Sequence, residues 1–404
     1  MAYKSDVTAL SPAHFFPFDG NATDTVAALG STDTSMVWSN SAIANDATNA
    51  MNSNAVDDLL ELDSSAYINE ERNQILVAGW FKTNKIQQPP CRIYGDGSSS
   101  ASVSIHLGFG NQVLFEVDSD PFTLQIYGDT PLVQDRIYHL AIRFESSTYG
   151  DIFKGYLDGV EQTDTVDNTP GDKLGQSRTK GSFGGKNSGL ALGGVDLKIV
   201  SIVNGHYNHW AFWNGTNASN VSDSEIRTEL FEKGAIPSVT ISDQAGLDAL
   251  ASTVRGNAPL CIAITGTNLD LIADNVTFDP LSSIHIQWQG SGVLNWTNNN
   301  GSNATIVSNI GGGTVNVKNP RTVNFTNLQA GTEIRIYETG TTTEVSGIEE
   351  ENTGSWSTVI PDGFYDIRVV SVNYRNIEYR NIEIAADQTI KVEQFFDKNY
   401  NNPI

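Results

Sequence analysis

Apolar runs in this chain are short, and most of them stop at Gly, Asp, Asn or Pro. "QILVAGWFKTN", "SVSIHLGFG", "QVLFEVDS", "FTLQIYGD" and "RIYHLAIRFES" succeed one another with turn residues in the gaps. Runs of this length suit strands, and their spacing suits antiparallel sheets rather than strand–helix–strand units. Composition agrees. Only 18% of residues are charged beside 39% hydrophobic, and there are 36 glycines, so Asn, Thr and Ser carry most of the polar surface. The expected class is all-β.

The 404 residues exceed what one core organises, and strand style changes twice along the chain. Residues 1–237 carry the runs above and close on "NASNVSDSEIRTELFEKG", a helix with Ser222 as N-cap, Glu225 as its capping-box partner and Gly234 as C-cap. Residues 238–320 open with a short helix, "SDQAGLDALASTVRG", and continue in brief bursts such as "LCIAITGT", "SIHIQWQGSGVLNW" and "ATIVSNIGGGTVNV". Asn- and Gly-rich corners between bursts suit a small β-helix-like or strand-rich stem. Its Ile264, Ile286, Trp288, Val293 and Trp296 are too many to leave in water and too few to close a core, which predicts a homotrimer. Residues 321–404 hold seven strand candidates, from "TVNFTNL" to "TIKVEQFF", with Ile334 and Ile336 facing inward, and end in a polar tail. Seven short strands in this span suit an immunoglobulin-like β-sandwich.

Charge excludes some functions. A net charge of −23 leaves no clustered Lys and Arg for phosphates, so neither nucleic acid nor a membrane surface is an expected partner. Two cysteines, Cys91 and Cys261, make no disulfide framework. "MAYKSDVTALSPAHFF" holds no apolar run of signal-peptide length, and no stretch is apolar enough to span a bilayer as a helix. An extracellular style without an export signal suits a protein made in a cytoplasm and released by lysis, so the expected location is a virion.

Four motifs, in order, carry a family resemblance. They are Phe16-Pro17-Phe18-Asp19-Gly20-Asn21 with Asp24, then Val77-Ala78-Gly79-Trp80-Phe81-Lys82, then Tyr138–Phe144 with Tyr156-Leu157-Asp158-Gly159, and last Gly205–Asn214 leading into Ser222–Ile226. Residues 1–237 thereby resemble the laminin-G-like branch of the concanavalin-A-like lectins, which implies an N-terminal jelly-roll sandwich. Many relatives hold a structural calcium behind the first motif. The resemblance implies Asp19, Asp24 and Asn208 as Ca2+ ligands, Asn208 standing where relatives have Asp; as residues alone, Asp19 and Asp24 also read as turn caps. Along "YNHWAFW", strict alternation puts Asn208, Trp210 and Phe212 on one face and Tyr207, His209 and Trp213 on the other. The second set is the candidate carbohydrate-binding surface, because a pyranose needs an aromatic face beside hydrogen-bonding groups.

No enzyme motif emerges. After Glu61 and Asp63, the third carboxylate of the glucanase pattern would fall at Ala66, and no metal-spaced or nucleophile motif occurs. The string of modules resembles tailed-bacteriophage virion proteins. That resemblance implies a non-enzymatic tail or capsid fibre that binds host-surface carbohydrate alongside other virion proteins. The alternatives are a decoration or tail-structural protein that uses the lectin fold for protein contacts, a bacterial surface adhesin, and a polysaccharide depolymerase.

Overall fold

The computed structural model describes residues 3–19, 21, 25–26, 31–34, 37–39, 42–47, 49–53, 59–62, 74–83, 91–98, 101–107, 111–119, 122–145, 152–166, 181–183, 201–202, 205–250, 253–254 and 259–398. The chain is all-β, with 55% strand and 10% helix. It divides into two compact units. The first is Met1–Val239 with Arg255–Cys261 and Leu281–Ile284, and the second is Thr240–Val254, Ile262–Pro280 and His285–Ile404.

Two sheets build the first unit, of eight and nine strands among the described residues. At the centre of the first, Gln74–Thr83 pairs antiparallel with Ile137–Glu145 on one side and Gly205–Asn214 on the other. Ile152–Leu157 continues the first side, and His14–Phe16 pairs with Gly205–Asn214. The second sheet contains a meander of Cys91–Ser98, Ala101–Leu107, Gln112–Ser119 and Phe122–Pro131. One buried cluster takes Val77, Phe81, Leu140 and Ile142 from the first sheet and Ile93, Val103, Ile105, Phe115 and Val117 from the second. The two sheets therefore pack face to face as a sandwich.

A second cluster lies on the outer side of the first sheet, where Tyr3, Trp80, Trp213, Ile226, Leu230 and Phe231 are buried together. The closing helix packs here, and its capping box forms as expected: Glu225 N donates to Ser222 Oγ at 3.2 Å and Ser222 N to Glu225 Oε2 at 2.7 Å. Its first-turn Asp223 accepts from Lys154 Nζ, Tyr156 Oη and Arg143 Nη1, which pins the helix to the sheet. Gly234 does a different task from the expected C-cap. A Cβ there would sit 2.6 Å from Tyr3 Cζ and 2.7 Å from Trp80 Nε1, so the position is held for space.

Up to Lys318, the paired strands of the second unit include several parallel ladders. Leu269–Asp274, Val293–Asn299 and Thr314–Lys318 form one ladder, and Ile284–Trp288 pairs with Val307–Asn309 in another. Parallel ladders stacked in this way suit a short β-solenoid. Among the described residues of the expected helix over "SDQAGLDALASTVRG", Gln244–Asp248 is helical, capped by the Asp243 side chain, and Thr253–Val254 is a strand; another strand, Pro237–Ile241, precedes it. Ile264, Ile286, Trp288 and Trp296 are all fully buried within the single chain, and only Val293 is exposed. The deficit that predicted a homotrimer is thus closed by stacked rungs, and that argument for the trimer falls away.

The seven strands expected after residue 320 all form. Pro320–Thr326, Ser355–Pro361 and Gln388–Lys391 make a three-stranded sheet, while Thr332–Glu338, Glu344–Glu351, Gly363–Val370 and Ile377–Ile384 make a four-stranded one. Val323, Phe325 and Ile360 meet Ile334, Ile336, Ile367 and Val369 between the two sheets. Among the described residues no helix is long and apolar enough to cross a membrane.

Candidate functional site

The strand Gly205–Asn214 carries most of the residues singled out in the sequence, and it is not regular. Its register against Gln74–Thr83 shifts between Asn208 and Ala211, and His209 has a φ of 50°. This is a β-bulge, and it resets the alternation. Tyr207, Trp210 and Phe212 share the interior of the sandwich, whereas Ala211 and Trp213 lie in the outer cluster. His209 joins that outer side, edge-on to Tyr3 at 5.2 Å and 5.8 Å from Phe15. Strict alternation had placed Tyr207 with His209 and Trp213.

All three candidate sugar contacts are buried. Tyr207 is 0% exposed, Trp213 1% and His209 2%, so none offers a ring face to a ligand. Trp213 Nε1 donates to Leu10 O and the His209 ring bonds Asn45 O, both tying down the N-terminal segment. The imidazole is held neutral: burial, reinforced by nearby Lys4, lowers its pKa to about 4.

The expected calcium ligands divide. Asp24 lies outside the described residues. Asp19 Oδ1 accepts from Asn49 N at 2.9 Å, and its Oδ2 pairs with Lys4 Nζ at 2.9 Å. Asn208 is fully buried. Its Nδ2 donates to Asn49 O at 2.8 Å, Phe18 O at 3.1 Å and Pro17 O at 3.3 Å, while its Oδ1 accepts from Ile43 N at 2.9 Å.

A pocket of about 240 Å³ opens elsewhere in the first unit. Its lining residue Asp158 sits in a two-residue hairpin turn, Asp158-Gly159, with φ of 50° and 71°. Both positive φ values fit the tight turn that suits paired strands, for which Asp-Gly is a favoured sequence. The turn aims Asp158 inward, where it accepts from His139 N and Ser283 Oγ at 2.8 Å each and lies 3.6 Å from Arg136 Nη2. Burial raises the Asp158 pKa, and Arg136 holds it back. Arg136 also donates to Leu281 O and lies over the Tyr138 ring, 5.4 Å from its centroid. Gln162, also in the lining, accepts from Asp129 N and donates to Val160 O. Val133, Val160 and Leu281 form an exposed apolar rim beside exposed Asp129 and Thr130.

The aliphatic rim beside exposed Asp129 and Thr130 is the part that a small polyhydroxylated ligand could touch, while Tyr138, Arg136, Asp158 and Gln162 are buried behind it. Sequence reasoning found the Asp158-Gly159 turn only as part of a family motif and missed Arg136, Gln162 and Ser283. Their partners are far away in sequence, so no local spacing marks them.

Another polar cluster has the residue types of a nucleophilic relay but not its geometry. Ser104, His106 and Glu116 are all buried on neighbouring strands. His106 Nε2 lies 2.6 Å from Ser104 Oγ and 3.7 Å from Glu116 Oε1. One nitrogen thus faces both partners, whereas a relay needs the base to use its two nitrogens separately.

No protein-family model matches the chain, and no curated protein does. The solved structures it is similar to include domain 4 of AbnA, a GH43 extracellular arabinanase from Geobacillus stearothermophilus in complex with arabinotriose. The identity is 15% and the TM-score 0.40, over 54% of this chain and 97% of that one. The binding domain of botulinum neurotoxin serotype D is 11% identical with a TM-score of 0.42, covering 55% of this chain and 51% of that one. Trypanosoma rangeli sialidase in complex with sialic acid is 13% identical with a TM-score of 0.36, covering 57% and 37%. At these scores no residue role passes from them to this chain.

Proposed function

We propose that this protein is a non-enzymatic, carbohydrate-binding component of a bacteriophage particle, a tail or capsid fibre or appendage that attaches to host-surface glycan. The observation that carries the binding half is the Arg136–Asp158 pocket, which places hydrogen-bonding groups beside an apolar rim at a size smaller than a drug-sized cleft. One sugar unit suits it better than a long chain. The particle half is supported by module order: a laminin-G-like sandwich, a few solenoid rungs, then a small sandwich that we read as immunoglobulin-like. A non-catalytic role is supported by the arrangement around His106, where burial and the shared nitrogen both work against a relay.

A glycan array probed with the full chain tests the binding half. Wild type should retain a restricted set of glycans, and Asp129→Ala and Thr130→Val, both at the exposed rim, should weaken that retention at least several-fold without changing the melting temperature. Retention of no glycan, or retention indifferent to both variants, overturns the pocket assignment. Immunogold labelling of particles tests the other half.

A specific observation favours a second reading, in which the particle uses the chain for protein contacts. Val372, Phe395 and Phe396 are 56%, 64% and 66% exposed in the second unit. Apolar residues gathered at a surface in this way suit a protein partner.

A further inference from the structure

The residues behind the first turn do not fit a calcium ion, and the misfit has a definite form. Calcium takes carboxylate and carbonyl oxygens. Three carbonyl oxygens do converge here, those of Pro17, Phe18 and Asn49, but they converge on the Asn208 Nδ2 group. The orientation of the amide is fixed by its surroundings. Its other end accepts from Ile43 N, so a flipped amide would set oxygen against three oxygens and NH2 against N–H. The carboxylate nearby, Asp19, already has a cation in Lys4 Nζ and a backbone donor in Asn49 N.

We infer that the turn at Pro17–Asp19 is closed by the chain's own nitrogens, with the Asn208 amide satisfying the converging carbonyls and the Lys4 ammonium neutralising Asp19, so that this part of the fold is independent of divalent cations. The β-bulge makes this possible. It carries Asn208 to the turn, and the next residue donates its own N–H to Pro17 O at 3.0 Å. The helix Tyr3–Ala9 supplies Lys4 and is held in place by Tyr3, whose hydroxyl donates to Leu230 O. The Asn208 amide is fully buried, and the Lys4 ammonium is half-buried on a helix that buried Tyr3 anchors.

Exchanging the nitrogens for oxygens should turn the same cradle into a cation site. In the full chain, wild type should melt at the same temperature in millimolar Ca2+ and in chelator, and calorimetric titration of Ca2+ should show no site that depends on Asp19. Asn208→Asp sets a carboxylate among three carbonyls, so it should lose several degrees in chelator and regain them with Ca2+. Lys4→Met combined with Asn208→Asp should enlarge that regain, because a competing cation is gone. A saturable Ca2+ shift in wild type that Asp19→Ala abolishes would overturn the inference. So would an Asn208→Asp protein that stays destabilised at every Ca2+ concentration. If Asn208→Asp fails to fold in chelator, refolding with and without Ca2+ gives the same reading.

Discussion

His139 is 1% exposed, and neither of its ring nitrogens has a hydrogen-bond partner among the described residues. It packs against Trp80, 5.1 Å away, and Phe231, 6.1 Å away, which also stack on each other. Burial alone pushes its pKa down to about 3, beside about 4 for His209. Both values are lowered from an unfolded value of about 6.5, so the unfolded chain takes up protons that the native one refuses. The two histidines leave stability intact above about pH 6.5 and erode it as pH falls toward 4 and then 3. His139→Phe should flatten that decline. It should also raise stability near pH 7 by about 1 kcal/mol, because a buried polar group without a partner costs roughly 1–3 kcal/mol. Chemical denaturation from pH 7 to pH 4 measures both, and an unchanged acid slope would refute the assignment. At this scale the sequence was partly legible. That Asn208 stands where the lectins this chain resembles have Asp could be read directly, but the bulge beside it could not, because counting by twos assumes an unbroken ladder.

Elements were the most legible level wherever strands alternate, which is why all seven strands after residue 320 could be marked in advance. The solenoid was harder. Its corners stack glycines from successive rungs, Gly266 under Gly290 under Gly311 and Gly292 under Gly313, but the rungs are of unequal length and no repeat shows in the sequence. The reason for the glycines is close backbone approach. A Cβ on Gly292 would lie 1.5 Å from Thr267 O, and one on Gly313 2.1 Å from Gly292 O. Gly292→Ala should therefore force the corner apart and destabilise the second unit by at least about 2–3 kcal/mol, in the range seen for overpacked interiors. Gly312 is the control. It has a φ of 77° with open space around it, so Gly312→Ala should cost only the left-handed strain, about 1 kcal/mol. Equal losses for the two in urea unfolding would show that crowding is not what the corner glycines relieve.

At the scale of the whole molecule, the first unit does not end where the sequence style changes at Pro237. Leu260 and Ile284 are buried in its outer cluster with Tyr3, Trp80 and Phe231, and Ser283 bonds Asp158 in the pocket. These contacts join segments far apart in the chain, so a reading of local strand style could not place them. A fragment of residues 1–237 should accordingly melt several degrees below the first transition of the full chain. It lacks two core side chains of a type whose loss costs roughly 2–5 kcal/mol each. Scanning calorimetry on both proteins tests this, and coincident transitions would restore the boundary at Pro237.

One pairing bears on force. In the last sandwich the opening strand, Pro320–Thr326, lies beside the closing strand, Gln388–Lys391, and the two run parallel from Val323 opposite Gln388 to Thr326 opposite Lys391. A pull on the two ends of this module drags its outermost segments past each other along their length. The bonds between them are then loaded all at once, in shear, instead of parting one after another as in an unzipped hairpin. Tension along the chain would thus meet its stiffest arrangement at the first and last strands of the module, with the other strands shielded behind them until that clasp slips.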